Sequence, residues 1–178
     1  RVTVSASSLL CQSLSLSSRM QSLPSVVLEL SEVAGGKTMR IDKDNYYLNI
    51  AKAVAARSTC LRRQYGAVIV ADDEIIATGY NGAPRGEANC CDVGKCYCRE
   101  HSTPIDEHAA RHGDQYGTCV AVHAEQNAII SAPRRSMRGA TLYLACLDET
   151  IDPAPCNICD RMIKNAGITR VVTRAGTF

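Results

Sequence analysis

Two cysteines, Cys156 and Cys159, constrain this chain more than any other feature of its sequence. They stand three residues apart directly after Pro155, in a stretch that reads as a helix from Cys156 to Asn165. Gly167 just beyond its end is the usual stop signal. Residues three apart on a helix share a face, so both sulfurs can point at one centre. The positive end of the helix dipole favours the thiolate, the form that binds metal. A second short motif, His123-Ala124-Glu125, opens another expected helix from about His123 to Ala132, stopped by Pro133. A fold that brings the two helix starts together makes a three-ligand site of His123, Cys156 and Cys159.

Three protein ligands leave one tetrahedral position for water, which separates a catalytic zinc from a closed structural one. Glu125 lies two residues past His123, close enough to approach that water without being a ligand. A carboxylate so placed can take a proton from the nucleophile and deliver it to the substrate and the leaving group. The competing structural reading is half of a zinc ribbon, which requires a second Cys-x-x-Cys, and the sequence has none.

The remaining pattern supplies the frame. Tyr47, Ile50 or Ala51, Val54 and Ala55 recur at the spacing of one helix face after Asp42. Strands are expected over Tyr65–Val70 and Glu74–Thr78, with Asp72 and Asp73 as the turn of a hairpin. Ala140–Leu147 and Ile168–Thr173 read as further strands. Residues 79–119 are rich in Gly, Pro, Cys and His and read as irregular, too long for an idle connection. Strands alternating with helices after an initial hairpin predict an α/β layered domain with a mixed sheet.

Composition limits the rest. The 178 residues suit one compact domain, and a formal net charge of +2 leaves no bulk footprint for nucleic acid. No run of about 18 apolar residues suggests a membrane span. Ten cysteines without a clear cleavable leader fit thiolates kept for metal in a reducing, cytoplasmic compartment. Nine of the first 25 residues are Ser and no acid precedes Glu29, so residues 1–38 are expected to be a disordered or non-native extension, with the domain over 39–178.

The pairing of His-x-Glu with Pro-Cys-x-x-Cys resembles the signature of zinc deaminases. Longer stretches resemble deoxycytidylate (dCMP) deaminases within the cytidine deaminase-like superfamily. They are Tyr65-Gly66-Ala67-Val68-Ile69-Val70, Thr78-Gly79-Tyr80-Asn81-Gly82-Ala83-Pro84-Arg85-Gly86 and Val122-His123-Ala124-Glu125-Gln126-Asn127-Ala128-Ile129, with Asn165-Ala166-Gly167-Ile168 after the cysteine pair. The resemblance implies a three-layer α/β/α fold around a central mixed sheet and hydrolytic conversion of dCMP to dUMP, which feeds thymidylate synthesis. Carried over by position, Asn81 would contact the sugar, the Ala124 backbone would meet the pyrimidine edge, and Arg134 would contact phosphate or an effector. The resemblance also implies a homo-oligomer, a dimer or hexamer, with dCTP and dTTP as effectors.

Several members of this family hold a second, structural zinc. Here Cys60, Cys90, Cys96 and Cys119 are the expected set, with Cys91, Cys98, His101, His108 and His112 as nearby alternatives. Four thiolates would close such a site and order the loop around it. Cys146, on an expected buried strand, reads as a core residue.

Two other readings compete. Another zinc deaminase, acting on transfer-RNA adenosine, guanine or cytidine, would use the same metal motif, but an RNA enzyme needs stacking aromatics and a basic groove. This chain has no Trp and one Phe. A non-catalytic zinc-stabilised binding module would have no use for Glu125.

Overall fold

Asp42 starts the first helix, α1 (Lys43–Ala55), by accepting a 2.9 Å hydrogen bond from the Asn45 amide. The computed structural model describes residues 40–96 and 119–178. The expected extension over 1–38, and with it Cys98, His101, His108 and His112, lies outside the described residues. Tyr47, Ala51 and Ala55 line the buried face of α1 at the anticipated four-residue spacing.

A hairpin follows, of β1 (Tyr65–Ala71) and β2 (Glu74–Tyr80). Its two turn residues, Asp72 and Asp73, have φ of 49° and 67°. Positive φ at both central positions matches the right-handed twist of paired strands, and Asp tolerates it better than most side chains. Beyond the hairpin come a one-turn helix α2 (Cys90–Val93), α3 (Ala124–Ser131), a short 3-10 turn (Arg134–Met137) and β3 (Thr141–Cys146). The chain ends in α4 (Asn157–Ala166), β4 (Arg170–Thr173) and β5 (Gly176–Thr177).

The five strands form one mixed sheet in the order β2-β1-β3-β4-β5. β1 pairs antiparallel with both β2 and β3, β3 pairs parallel with β4, and β4 pairs antiparallel with β5. The parallel pair needs a crossover, and α4 supplies it. Because β1 is central and covered on both faces, it reads as an unbroken apolar run rather than an alternation. Val68 and Val70 face α1 with Tyr47, Tyr143 and Val172. Ala67 and Ile69 face the opposite layer with Ala124, Ala128, Leu142, Leu144 and Ile163. Helix α1 thus covers one side and α3 with α4 the other, the three-layer arrangement expected.

Three departures from the sequence reading are local. Cys90–Val93 is helical where an irregular segment was expected, its start held by the Asn89 amide and the Asp92 carboxylate. β2 runs two residues further, to Tyr80, and the two-residue β5 carries no apolar alternation that could announce it. Two glycines set the layer spacing. A Cβ on Gly66 would lie 2.1 Å from the Ala51 carbonyl oxygen, and one on Gly79 would lie 2.3 Å from both the Ala124 carbonyl oxygen and the Ala128 nitrogen. Both helices therefore rest directly on strand backbone, α1 on β1 and α3 on β2.

Candidate metal centre

Both chemical motifs stand at helix starts on the same side of the sheet. His123 is the residue that begins α3 and Cys156 the one that begins α4. The His123 amide donates to the Gln126 side-chain oxygen at 2.9 Å, which pins the backbone at this turn. The Asn127 side chain donates to the Tyr80 carbonyl at 2.7 Å, tying α3 to β2 beside Gly79. On α4, the Cys159 amide reaches the Cys156 sulfur at 3.5 Å.

His123 Nδ1 lies 3.5 Å from Cys156 Sγ and 3.4 Å from Cys159 Sγ. Zinc bonds of about 2.3 Å to sulfur and about 2.0 Å to nitrogen at a tetrahedral angle require a nitrogen-to-sulfur edge of about 3.5 Å. The two observed nitrogen-to-sulfur edges have that length. All three ligand atoms lie within 4.8 Å of one another, and this is the one such group among the described residues.

The electrostatics agree with a cation site. The hydrogen bond from Cys159, followed by that from His123, lowers the Cys156 thiol to about 3. Its neighbour Cys159 is pushed up, first by the same hydrogen bond and then by burial, because one proton is shared between them. His123 is raised chiefly by its bond to Cys156, against the pull of burial. A cation held here would take the place of those protons and keep both sulfurs as thiolates. Glu125, second residue of α3 and only 5% exposed, has its carboxyl raised by burial, partly offset by its own backbone hydrogen bond and by His123. A carboxyl so placed can take a proton and return it.

These groups open into one cleft. Its walls include Tyr65, Asn81, Ala124, Leu144 and Ala154 together with His123, Glu125 and Cys156. Asn81 and Ala124, both expected at the substrate, are therefore present. Asn81 is nevertheless largely engaged within the protein. Its side-chain oxygen accepts from the Ser58 hydroxyl at 2.6 Å and the Tyr65 amide at 2.8 Å, and its amide donates to the Arg63 carbonyl at 2.8 Å. One amide hydrogen is left for a ligand.

Arg134 is not among the residues lining this cleft. Its guanidinium donates to the Asn165 carbonyl at 3.1 Å, beside a separate hollow with Ile129, Met137 and Met162. Of the four cysteines expected at a second ion, Cys60 and Cys119 line this cleft. The Cys91 amide bonds the Thr59 carbonyl at 3.2 Å, which draws the start of α2 toward Cys60. Among the described residues these four do not gather into a three-ligand group. Cys146 is buried on β3, as a core residue should be. The sequence reading passed over Arg62, Arg63 and Tyr65, which also line the cleft. Adjacent arginines before a strand are a common surface pattern, so only their position in space marks them.

Residues 41–175 match the family described as the cytidine and deoxycytidylate deaminase zinc-binding region. The deoxycytidylate deaminase of Mycobacterium phage D29 is 40% identical over 133 residues, covering 75% of this chain and 94% of that protein. The deoxycytidylate deaminase of Schizosaccharomyces pombe is 34% identical over 145 residues, which are 82% of this chain but only 41% of that longer protein. Among solved structures, the dCMP deaminase of cyanophage S-TIM5 in complex with dCMP and dUMP is 27% identical. It superposes with a TM-score of 0.51 over 75% of this chain and 81% of that one. With the matched region spanning the His123, Cys156 and Cys159 triangle and the sheet that carries it, this chain belongs to the cytidine and deoxycytidylate deaminase family.

Proposed function

We propose that the chain deaminates dCMP to dUMP by hydrolysis, with zinc held by His123, Cys156 and Cys159 and with Glu125 moving the protons. The observation that carries this reading is a ligand triangle of tetrahedral dimensions beside a buried carboxylate in one cleft. The similarity to the phage deoxycytidylate deaminase, over nearly all of that protein's length, supports the substrate.

When bound, zinc would make water a nucleophile at neutral pH. Glu125 accepts the proton released as water adds to C4 of the cytosine ring and passes it to the ring nitrogen beside it. The same carboxylate then takes the remaining proton of the hydroxyl on C4 and gives it to the amino group as the C4–N bond breaks, so the balance is dCMP plus water giving dUMP plus ammonia. Ala124, fully buried at the first turn of α3, offers its backbone to the pyrimidine edge, and the free amide hydrogen of Asn81 faces the sugar. Burial around Glu125 excludes bulk water and keeps its proton available.

The proposal includes a second, structural zinc on Cys60, Cys90, Cys96 and Cys119. It rests on the family resemblance and requires the four cysteines, which do not gather among the described residues, to close around the ion. Assembly as a dimer or hexamer, response to dCTP and dTTP, and a cytoplasmic setting are part of the same reading and rest on the family resemblance. No helix among the described residues is long and apolar enough to cross a membrane.

The deciding experiment assays purified protein, with its metal content measured, against dCMP, dCTP, cytidine, guanine and transfer RNA. Conversion of dCMP with about two zinc ions per chain is expected. Activity confined to guanine or transfer RNA would overturn the substrate, and a single zinc would remove the second site.

A further inference from the structure

We infer that Asn127 is a positioning residue for the reaction, fixing the register of α3 on β2 so that Glu125 stands correctly against the cleft wall at Asn81. The inference rests on the deaminase reading above. It concerns a side chain that is not among the residues lining the cleft.

Contact between α3 and β2 fixes their separation but not their register. Gly79 presents no side chain to the helix. A Cβ there would lie 2.3 Å from the Ala124 carbonyl oxygen and the Ala128 nitrogen and 2.9 Å from the Asn127 carbonyl carbon. Ridges and grooves that interlock two elements are made by side chains, so a bare glycine surface gives α3 nothing to catch on. Sliding or pivoting of the helix must be opposed by directional bonds.

Two ties supply them, and they bracket the chemistry on both elements. Gly82 and Val122 exchange backbone hydrogen bonds of 3.2 and 2.8 Å. The Asn127 side-chain amide donates to the Tyr80 carbonyl at 2.7 Å. Asn81 stands between Tyr80 and Gly82 on one side, and His123 and Glu125 stand between Val122 and Asn127 on the other. The Asn127 backbone amide also donates to the His123 carbonyl at 3.0 Å, so the second tie acts on the motif within one helical turn. Without the Asn127 side-chain bond, the Gly82–Val122 bridge remains as a pivot, one residue from His123 and three from Glu125. The proton carrier then gains more freedom than the metal ligand. Backbone groups make the first tie whatever the side chain, whereas the second depends on an amide donor at position 127. Leucine or aspartate, of nearly the same size, cannot donate that bond.

The test measures dCMP turnover, zinc content and calorimetric dUMP binding on the zinc-loaded wild type, Asn127→Leu and Asn127→Asp. Ser131→Ala is the control, because it removes another side-chain hydrogen bond of α3, to the Asn127 carbonyl at 2.8 Å, and leaves the tie in place. Aspartate keeps the shape of asparagine and suits the dipole near a helix start, so that variant should fold as the wild type does. Both Asn127 variants are expected to lose about 10-fold in kcat, less than the roughly 100-fold that a misplacement of about 1 Å costs. KM and dUMP affinity should stay within about twofold, with zinc at the wild-type content. Ser131→Ala should keep the wild-type kcat. A kcat within about twofold of wild type in Asn127→Asp, with its fold verified by circular dichroism, would overturn the inference. So would a loss of zinc in proportion to the loss of kcat, which would make Asn127 a support of the metal and not of proton transfer. A zinc-loaded wild type inactive on dCMP would overturn the deaminase reading and the inference with it, whereas variants that match an active wild type overturn the inference alone.

Discussion

Replacing Gly79 by alanine tests how the fold sets the catalytic geometry, because the site of change contains no chemistry. The added Cβ would lie 2.3 Å from the Ala124 carbonyl oxygen and the Ala128 nitrogen, against an ordinary contact of 3.4 Å, so the layers must part by about 1.1 Å. If α3 retreats, it takes His123 and Glu125 with it, while Cys156 and Cys159 stay with α4. The edges of 3.4 and 3.5 Å between the His123 nitrogen and the two sulfurs then stretch toward 4.5 Å, well outside the tolerance of about 0.2 Å in metal-ligand distance. If β2 yields instead, the strain passes to Asn81 and to the Gly82–Val122 bridge, which leads back to His123. Either movement reaches the site.

Overpacking of this size costs about 1–3 kcal/mol of stability. A misplacement of about 1 Å costs about 100-fold in rate. Urea unfolding should show the midpoint falling by about 1 M, with kcat/KM for dCMP reduced about 100-fold. Zinc should be held more weakly against a chelator. Retention of kcat/KM within about threefold, with an unchanged urea midpoint, would refute the reasoning that Gly79 seats α3.

Three further outcomes follow from other parts of the molecule. Glu125→Gln should lower kcat by about 100- to 10,000-fold while zinc content stays at the wild-type level, and metal analysis beside turnover measures both. Cys156→Ala should lose the catalytic ion and lower the melting temperature; an unchanged zinc count would remove Cys156 from the ligand set. Across the sheet, Arg170 bonds Asp44 at 2.6 Å and holds its carboxyl below the usual 3.8. Because that carboxyl is depressed on folding, the stability it contributes is present above pH 3.8 and is lost as the pH falls through the lower folded value. Both partners are well exposed, so Arg170→Gln should cost only about 0.5 kcal/mol at neutral pH. The difference between variant and wild type should close in acid, and urea melts over a pH series would detect a gap that failed to do so.

Sequence alone located the candidate metal motifs and most of the elements. The His123-x-Glu125 and Cys156-x-x-Cys159 motifs are local patterns, and helix starts place their side chains by geometry that operates within four residues. The same holds for the Asp42 cap, the Asp72-Asp73 turn and the Gly167 stop. The apolar run of β1 announced a strand, and the structure showed that both its faces are buried. Elements without a periodic signal escaped: α2 is one turn long, and β5 is two residues paired with a strand already in place.

Only the tertiary structure decided which distant residues share the cleft. It brought His123 within 3.5 Å of sulfurs more than thirty residues away, and it placed Arg62 and Arg63 beside them. It also gave two familiar residues different work: Gly79 is a bearing surface for α3, and Asn81 latches a loop. Neither role is readable in sequence, since both depend on how closely two layers approach, a distance set by packing across the whole sheet.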